Sequence, residues 1–382
     1  MGSSKKPKTI VVNDVAASSG GALSVLKQFL DEISSNNLAR KFKWIIFVSN
    51  NEVNEYNSDY IDIIKVNMKS WPKRIWWDIF GIKKWLKLHN IEPIAAISLM
   101  SVGLKYLNIP QIVYLHQSLP FGNFQEFKWF EWKARFYTWG IFKWMKWSIN
   151  KDSIIVVQTN WMKEAVHKKL NIPRKNIYII RPKVEIPKID TELLEIEGSK
   201  SSFSHRLFYP AVPGASYKNH ELLIRTLAMI KQKDYNLFGK LKLVFTCKPS
   251  DSKLTKHYYR LAYKLEVSEQ IEWVGYLTKE QMLKEYIDAD LVLFPSKLET
   301  FGLPLIEAAS LGKPILVLDK PYAHDVLKNY NGAKYLKDDP EKWSQVIQDI
   351  NSIGKSYCEP FFGHELNEWM KFIDLINKTV KN

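Results

Sequence analysis

Short apolar runs rich in Val, Ile and Leu recur along this chain, with little of the alternation between apolar and polar residues that half-exposed strands show. In the first half they lie at 9–13, 43–48, 94–99, 111–115, 153–158 and 177–180, and in the second half at 206–209, 242–247, 271–274, 291–294 and 314–318. Helical stretches separate them. Strands that are apolar on both faces and alternate with helices predict parallel sheets covered by helices on both sides. We therefore expect an α/β fold.

The number of domains follows from the length and from one break in the rhythm of strands and helices. The 382 residues are too many for one ordinary core and suit two domains of about 150–200 residues. Residues 183–202 hold Pro187, several charges and several serines, which is typical of a linker. We predict two doubly wound Rossmann-like domains that face each other across a cleft, at 1–185 and 205–362, joined by a linker at 186–204. A last helix at 363–382 is expected to pack back toward the first domain.

The most informative segment is 291–318, which reads LVLFPSKLETFGLPLIEAASLGKPILVL. A buried strand runs into the loop 295–302, and a helix follows the loop. Ligands of open α/β sheets bind at the carboxyl ends of strands, and helix N-termini favour phosphate there. Glu299 in the loop and Glu307 in the helix can approach one ligand from different sides. A carboxylate can accept hydrogen bonds from the vicinal hydroxyls of a ribose, as in dinucleotide sites.

This segment resembles the E-x7-E signature of family-4 retaining glycosyltransferases of the GT-B fold, in the form ETFGLPLIE. The resemblance extends over most of the chain, strongly in 205–320 and more loosely in 9–25 and 111–120. It implies that Glu307 binds the ribose of a nucleotide-diphosphate sugar and that Glu299 faces the transferred sugar as a catalytic residue. The remaining donor contacts that it implies in this loop come from Thr300, Phe301, Gly302 and Leu303.

A second candidate site residue, Lys218, follows the first strand of the second domain in the segment YPAVPGASYKNH. An ammonium group at the start of a helix can neutralise a departing diphosphate, so we assign Lys218 a catalytic role. Members of the family usually carry an Arg about five residues earlier, where this chain has Pro213. The second phosphate-binding cation is therefore open, with Arg206 and Arg181 as candidates.

Three further loops follow predicted strands. Gly275 and Tyr276 in WVGYL resemble the family loop that lies beside the nucleobase, although a plain strand-to-helix turn is an equal alternative. Gly20 and Gly21 would let the backbone approach the diphosphate closely. His116 ends the strand QIVYL, where a histidine can donate a hydrogen bond to the sugar or transfer a proton. The resemblance places such a histidine by the donor sugar, and a structural histidine is the alternative.

Basic and aromatic residues are concentrated in the first half of the chain. Residues 1–190 hold 29 Lys and Arg against 15 Asp and Glu, and 11 of the 14 Trp residues. On a helix over 126–148, a cationic stripe flanked by tryptophans would lie opposite an apolar face. The predicted membrane-facing residues are Lys128, Trp129, Trp132, Arg135, Trp139, Lys143 and Lys146. Residues 71–89 repeat this composition. An alternative is that the aromatic residues belong to the core.

The sequence thus predicts a glycosyltransferase of cell-surface polysaccharide synthesis, which moves a hexose or deoxyhexose to a saccharide acceptor, lipid-linked, with retention of configuration. No cofactor and no metal are expected, because Asp288-Ala289-Asp290 precedes its strand at the end opposite the expected crevice. The expected partners are the donor, the acceptor and an anionic membrane surface, without nucleic acid. Two cysteines and no apolar leader indicate a cytoplasmic protein, peripheral on the inner face of the cell membrane. Alternatives are a nucleic-acid-binding protein that uses the basic half, a sugar-nucleotide epimerase or phosphorylase of similar architecture, and an inactive scaffold.

Overall fold

The computed structural model describes residues 8–17, 20–68, 70–122, 127–128, 131–184, 204–211, 214–350, 358–362 and 368–381. The chain forms two compact units. The first comprises residues 1–122, 136–183 and 367–382, and the second comprises 123–135 and 184–366. Residues 123–135 therefore belong to the second unit, although the chain on both sides of them belongs to the first.

The first unit is built on a seven-stranded sheet whose neighbouring strands are all parallel, in the order β3-β2-β1-β4-β5-β6-β7. Its strands are β1 (Thr9–Asp14), β2 (Lys43–Val48), β3 (Ile61–Lys65), β4 (Ala95–Ser98), β5 (Gln111–Tyr114), β6 (Ile154–Val157) and β7 (Ile177–Ile179). Its helices are α1 (Gly20–Ser35), α2 (Trp71–Trp76), α3 (Ile82–Leu88), α4 (Trp132–Ser148), which begins in the second unit, α5 (Asn160–Leu170) and the C-terminal Trp369–Lys381. One π-helical turn, Trp77–Gly81, joins α2 to α3.

Both faces of this sheet are buried, as the apolar runs predict. Alternate residues of β1 point to opposite faces. Ile10 and Val12 join a cluster with α1 and the C-terminal helix, whereas Val11 joins a cluster with the π-helical turn and α3. The C-terminal helix is held in this unit by stacking of Trp369 on Tyr114, with ring centroids 5.6 Å apart.

The second unit contains a six-stranded sheet, again parallel throughout, in the order β10-β9-β8-β11-β12-β13. The strands are β8 (His205–Tyr209), β9 (Leu241–Phe245), β10 (Ile271–Trp273), β11 (Leu291–Phe294), β12 (Ile315–Leu318) and β13 (Ala333–Leu336). The helices are α6 (His220–Lys233), α7 (Tyr235–Lys240), α8 (Lys253–Lys264), α9 (Lys279–Asp288), α10 (Leu303–Ser310), α11 (Pro321–Val326) and α12 (Pro340–Gln348); we label the C-terminal helix α13.

The order of strands reverses between β8 and β11, which are neighbours in the sheet although 81 residues separate the end of one from the start of the other. Connections leave these two strands in opposite directions, so a crevice opens at their carboxyl ends, where open α/β sheets bind ligands. The fold is thus two doubly wound α/β units, as expected. In the second unit, the crevice at the carboxyl ends of β8 and β11 is the expected ligand site.

Candidate functional site

Two loops meet at the carboxyl ends of β8 and β11. The first contains a 3-10 turn, Ser216–Lys218, just before α6. The second is 295–302, just before α10. The backbone N–H of Lys297 donates a hydrogen bond of 2.8 Å to the carbonyl of Tyr217 and so ties the two loops together. Residues 81 positions apart in the chain, such as Lys218 and Glu299, are thereby brought to one point.

Lys218 and Glu299 form an ion pair at this point, with 2.5 Å between Nζ and Oε1. Their side chains are only 19% and 14% exposed, so bulk water screens the pair weakly. Burial alone would lower the pKa of the Lys218 ammonium, but the charge and hydrogen bond of Glu299 and the nearby Tyr217 together outweigh burial and raise this pKa above its ordinary value. The backbone of the turn is fixed as well, because the hydroxyl of Tyr209 donates a 2.6 Å hydrogen bond to the carbonyl of Lys218. The site therefore holds a charged, oriented ammonium group.

The N-terminus of α10 lies directly after Glu299. Gly302 caps the helix with φ 86°, a left-handed conformation that favours glycine, and Pro304 stands in the first turn. Phe301 is buried beneath the loop. The first N–H groups of a helix have no acceptor within the helix and carry a partial positive charge. The start of α10 and Lys218 can therefore both stabilise negative charge.

Glu307 lies in the second turn of α10 and is oriented by a residue of another helix. The hydroxyl of Tyr286, on α9, donates a hydrogen bond of 2.8 Å to Glu307 Oε2. Burial raises the pKa of the Glu307 carboxyl, and the hydrogen bond from Tyr286 and the charge of Lys279 oppose that rise. The other carboxylate oxygen remains available to accept hydrogen bonds from a ligand.

The loop after β10 carries Gly275 and Tyr276. Gly275 has φ 82°, and a Cβ there would lie 2.8 Å from Cε of Lys248, so the aliphatic part of that lysine passes close over the glycine. Tyr276 is 88% exposed. An exposed aromatic ring beside a lysine stem offers a flat surface of the kind on which a base can stack.

The candidates of the first half lie in the first unit, at the carboxyl edge of its sheet. Gly20 begins α1 and Gly21 has open space around its Cα; Ser18 and Ser19, which complete the loop, lie outside the described residues. His116 follows β5, and its backbone N–H donates a hydrogen bond of 3.1 Å to the Ser101 hydroxyl oxygen. Burial lowers the pKa of the His116 imidazole to about 4, so the ring is neutral near pH 7.

Arg206, suggested as a second phosphate-binding cation, is not placed for that role. It lies at the start of β8, at the edge of the sheet opposite the site, and its guanidinium donates hydrogen bonds of 2.9 and 3.1 Å to Glu285 and Glu272. That suggestion was wrong because a sequence does not show which carboxylates a cation meets. Arg181, in the first unit, pairs with Glu368 at 2.9 Å, and its role stays a prediction. Pro213, the position of the usual family arginine, lies outside the described residues.

The predicted cationic stripe needs one correction. Helix α4 begins at Trp132, so Lys128 is not on it, and the Lys128 ammonium is instead paired with Glu221 in the second unit. Trp129 lies outside the described residues. The other members of the stripe are exposed, with Trp132 at 55% and Trp139 at 54%; they include Arg135, Lys143 and Lys146. The helix buries Thr138, Ile141, Met145 and Ser148, whereas Tyr137 is exposed.

The structure also shows buried polar contacts that the sequence did not predict. Asn13 lies near the end of β1. Its side-chain amide N–H donates a hydrogen bond of 2.8 Å to the buried carboxyl of Asp78, and its amide oxygen accepts one of 3.3 Å from the Trp77 indole. Burial raises the pKa of Asp78 to about 7, against the opposing effects of Asn13 and Arg74. No local motif marks Asp78 or Tyr286, because each meets its partner only through packing.

The described residues contain neither a cluster of metal-binding side chains nor a helix that could span a membrane. No group of three or more His, Cys, Asp or Glu side chains there is placed to hold a metal ion. Asp290 accepts a hydrogen bond of 2.7 Å from the backbone of Arg206, which fits a turn residue before β11. Within the same residues, no helix combines the length and apolarity needed to cross a bilayer.

Comparison with known proteins places this geometry in a family. Residues 211–359 match the family model for glycosyl transferases group 1, and residues 35–186 match that for glycosyltransferase family 4. The O-antigen chain mannosyltransferase RfbU of Salmonella typhimurium is 25% identical over 213 residues, which cover 54% of this chain and 53% of RfbU. The chain thus spans about half the length of that curated relative.

Solved structures resemble the fold over nearly the whole chain. WaaG, a glycosyltransferase involved in lipopolysaccharide biosynthesis, superposes with a TM-score of 0.69 at 16% identity, covering 96% of this chain and 99% of WaaG. Anabaena HepE in complex with UDP and glucose gives a TM-score of 0.64 at 12% identity, covering 98% of this chain and 99% of HepE. Identities this low support the fold alone. The two family models, which between them match most of the sequence, show that this chain belongs to the group 1, family 4 glycosyltransferases, and the solved structures show the GT-B fold.

Proposed function

We propose that this protein transfers a hexosyl or deoxyhexosyl group from a nucleotide-diphosphate sugar to a hydroxyl of a saccharide acceptor, in the synthesis of a cell-surface polysaccharide. The observation that carries the proposal is that Lys218 and Glu299 pair just before α10, the helix that carries Glu307, at the reversal of strand order in the second unit. RfbU acts on O-antigen and the HepE complex holds UDP and glucose, which supports this substrate class.

Each part of the site matches one part of such a donor. The free oxygen of the Glu307 carboxylate can accept hydrogen bonds from the ribose hydroxyls. The Lys218 ammonium and the first N–H groups of α10 can hold the diphosphate. The ring of Tyr276 can stack on the base. Glu299, beside Lys218, faces the sugar. The neutral imidazole of His116, in the first unit, is a candidate for hydrogen bonding or proton transfer.

The reaction requires negative charge to be stabilised on the leaving group. The bond between the sugar C1 and the diphosphate oxygen breaks, a bond from C1 to the acceptor oxygen forms, and the acceptor proton passes to the departing phosphate. We propose that the acceptor attacks from the face that the diphosphate leaves, which retains the anomeric configuration. A buried ammonium and a helix N-terminus supply positive charge that is already oriented. This arrangement has no need of a metal ion or other cofactor.

We further propose that α4 and α2 attach the protein to an anionic membrane surface, where a lipid-linked acceptor is met. On the first unit, aromatic side chains stand exposed beside lysines: Trp139 is 54% exposed with Lys143 Nζ 5.7 Å from its ring, and Trp147 is 42% exposed with Lys105 at the same distance. Exposed Trp beside Lys suits the headgroup region of a bilayer.

Thermal shift with UDP-, GDP-, dTDP- and ADP-sugars tests the donor site. At least one of them should stabilise the wild-type protein, and Glu307→Gln should abolish that stabilisation. Glu341→Gln is the matched control, because Glu341 is a half-exposed carboxylate of the same unit that pairs with Lys233. Equal stabilisation of wild type and Glu307→Gln would overturn the proposal. RNA that stabilises the protein while no nucleotide sugar does would favour a nucleic-acid-binding protein, and conversion of a sugar nucleotide without acceptor would favour an epimerase.

A further inference from the structure

The turn that carries Lys218 is held by a segment that comes from between two elements of the first unit. Phe127, Lys128 and Glu131 lie between β5 and α4 in the chain, yet they belong to the second unit. Glu131 makes two contacts there. Its Oε1 accepts a hydrogen bond of 3.0 Å from the backbone N–H of Ser216, and its Oε2 accepts one of 2.8 Å from the backbone N–H of Lys128.

Further contacts fix this segment beside the turn. The backbone N–H of Lys128 also donates a hydrogen bond of 3.3 Å to the Ser216 hydroxyl oxygen, and the Lys128 ammonium pairs with Glu221 in the first turn of α6. The ring of Phe127 packs edge-on against Tyr217, with centroids 6.4 Å apart. The Ser216–Lys218 turn is therefore held on one side by Phe127, Lys128 and Glu131 and on the other by the Lys297 N–H.

From these contacts we infer that Glu131 is a positioning residue for Lys218, and that it sets the affinity of the site for the diphosphate of a nucleotide. This inference rests on the proposed function, because it takes Lys218 as the diphosphate-binding cation. Glu131 itself acts only through the backbone of Ser216, two residues before Lys218. A hydrogen bond from N–H to a carboxylate is among the stronger kinds, so its loss leaves the turn without its main anchor on that side.

The need for two acceptor oxygens explains why a carboxylate stands at this position. Both of its oxygens accept from backbone N–H groups, one at the turn and one at Lys128. A carboxylate can serve both donors, whereas an amide offers only one oxygen. Glu131→Gln therefore keeps the contact with Ser216 and gives up the contact with Lys128, while Glu131→Ala removes both. The two variants separate positioning of the turn from anchoring of the segment.

A double-mutant cycle tests the inference, with dissociation constants for UDP, GDP, dTDP and ADP measured by titration calorimetry. Glu131→Ala should weaken binding of whichever nucleotides bind by roughly tenfold, the loss expected for one charge-assisted hydrogen bond. Glu131→Gln should stay within about threefold of wild type. In a Lys218→Met background, Glu131→Ala should have almost no further effect, because the group that it positions is gone. Glu164→Ala is the control, since Glu164 is an exposed carboxylate paired with Arg174.

The possible failures are distinguishable. If Glu131→Ala weakens binding by the same factor with and without Lys218, the residue acts on the stability of the unit and the inference is wrong while the proposed function stands. If Glu131→Ala binds nucleotide like wild type while Lys218→Met does not, the inference alone is again wrong. If Lys218→Met leaves the affinity for all four nucleotides unchanged, the proposed donor site and the inference both fall.

Discussion

The hydroxyl of Tyr286 donates a hydrogen bond of 2.8 Å to the carboxylate of Glu307, although the two residues lie on different helices, α9 and α10. Tyr286 is buried, with its ring packed edge-on against Phe208 of β8 at 5.2 Å. The core of the second unit therefore fixes the tyrosine, and the tyrosine fixes the carboxylate. Glu307 is presented to a ligand in one orientation, with one oxygen already engaged.

Tyr286→Phe should make nucleotide binding sensitive to mildly acidic pH. Burial raises the pKa of Glu307 and the hydrogen bond from Tyr286 opposes that rise, so its removal raises the pKa further. The carboxylate that accepts from the ribose is then protonated at a higher pH than in wild type. We expect the affinity for UDP or GDP to fall by roughly tenfold or more between pH 8 and pH 5.5 in the variant, and by less in wild type. Calorimetric titration at both pH values checks this; parallel changes in the two proteins would contradict it.

Glu299→Gln should have the opposite pH dependence, with binding lost toward alkaline pH. The pKa of Lys218 is lowered by burial and raised by the charge and hydrogen bond of Glu299 and by Tyr217, with a net rise. Without the carboxylate, the effect of burial is opposed less and the ammonium loses its proton at a lower pH. Affinity for a nucleoside diphosphate should then fall between pH 7 and pH 9.5 in the variant and stay level in wild type. Glu299→Asp, which keeps the charge, is the control, and a level profile for Glu299→Gln would show that the pair does not set this pKa.

The two strands that the sequence did not predict, β3 and β13, both lie at sheet edges. β3 reads IDIIK and β13 reads AKYL, and only the first residue of β3 is fully buried in either strand. An edge strand is partly exposed, so it needs no continuous apolar run, and its pattern merges with that of a loop. Central strands such as β11, buried at every position, carry the signal that edge strands lack.

Some parts of the site come from one contiguous segment and could be predicted from the sequence, whereas others depend on packing between distant segments. The segment ETFGLPLIE is contiguous, so its loop, its glycine and its helix were predicted from the sequence. Glu299 is paired with Lys218, 81 residues away in the chain, and Glu307 accepts a hydrogen bond from Tyr286, 21 residues away. Only the order of strands and helices brings these partners together. The prediction for Lys128 was wrong for a related reason. The stripe assumed a helix from 126, whereas α4 begins at Trp132 and Lys128 is bonded to Glu131 and Glu221.

Asp78→Asn should stabilise the first unit at alkaline pH. Folding raises the pKa of Asp78 from 3.8 to about 7, so the folded protein keeps a proton that the unfolded chain has lost. The resulting stabilisation is complete below pH 3.8 and is lost as the pH rises through 7, above which a buried charge remains. Asparagine can still accept from Asn13 and carries no charge. Denaturation by urea should show the variant more stable than wild type by up to a few kcal/mol at pH 8 and by much less at pH 4; the same difference at both pH values would refute this.

Membrane attachment should depend on α4 and not on Lys128. Lys143→Glu with Lys146→Glu should reduce co-sedimentation with vesicles of phosphatidylglycerol and phosphatidylethanolamine by roughly tenfold or more, since each basic residue near such a surface is worth about 1 kcal/mol. Lys128→Met should have little effect, because that ammonium is paired with Glu221. Tyr235→Ala is the control, a 72% exposed aromatic residue of the second unit. Equal loss for Lys128→Met, or none for the double variant, would remove α4 from the contact surface.

Gly302 should tolerate asparagine better than alanine. Its φ of 86° is a left-handed conformation that costs an ordinary residue roughly 1–2 kcal/mol, and asparagine adopts it more readily than alanine does. A Cβ here would also lie 3.3 Å from Cδ1 of Leu305, a contact that a small shift of the leucine can relieve. The strain can be released by unwinding the first turn of α10, which would move the N–H groups that face the diphosphate.

We therefore expect Gly302→Ala to lower the free energy of unfolding by about 1–2 kcal/mol and to weaken binding of a nucleoside diphosphate, with Gly302→Asn milder in both respects. Urea denaturation and calorimetric titration measure the two effects separately. If alanine lowered stability but left nucleotide affinity at the wild-type value, the start of α10 would not contact the diphosphate. Lys218 would then be the main group that holds the leaving group, and substitution of Lys218 alone should abolish binding.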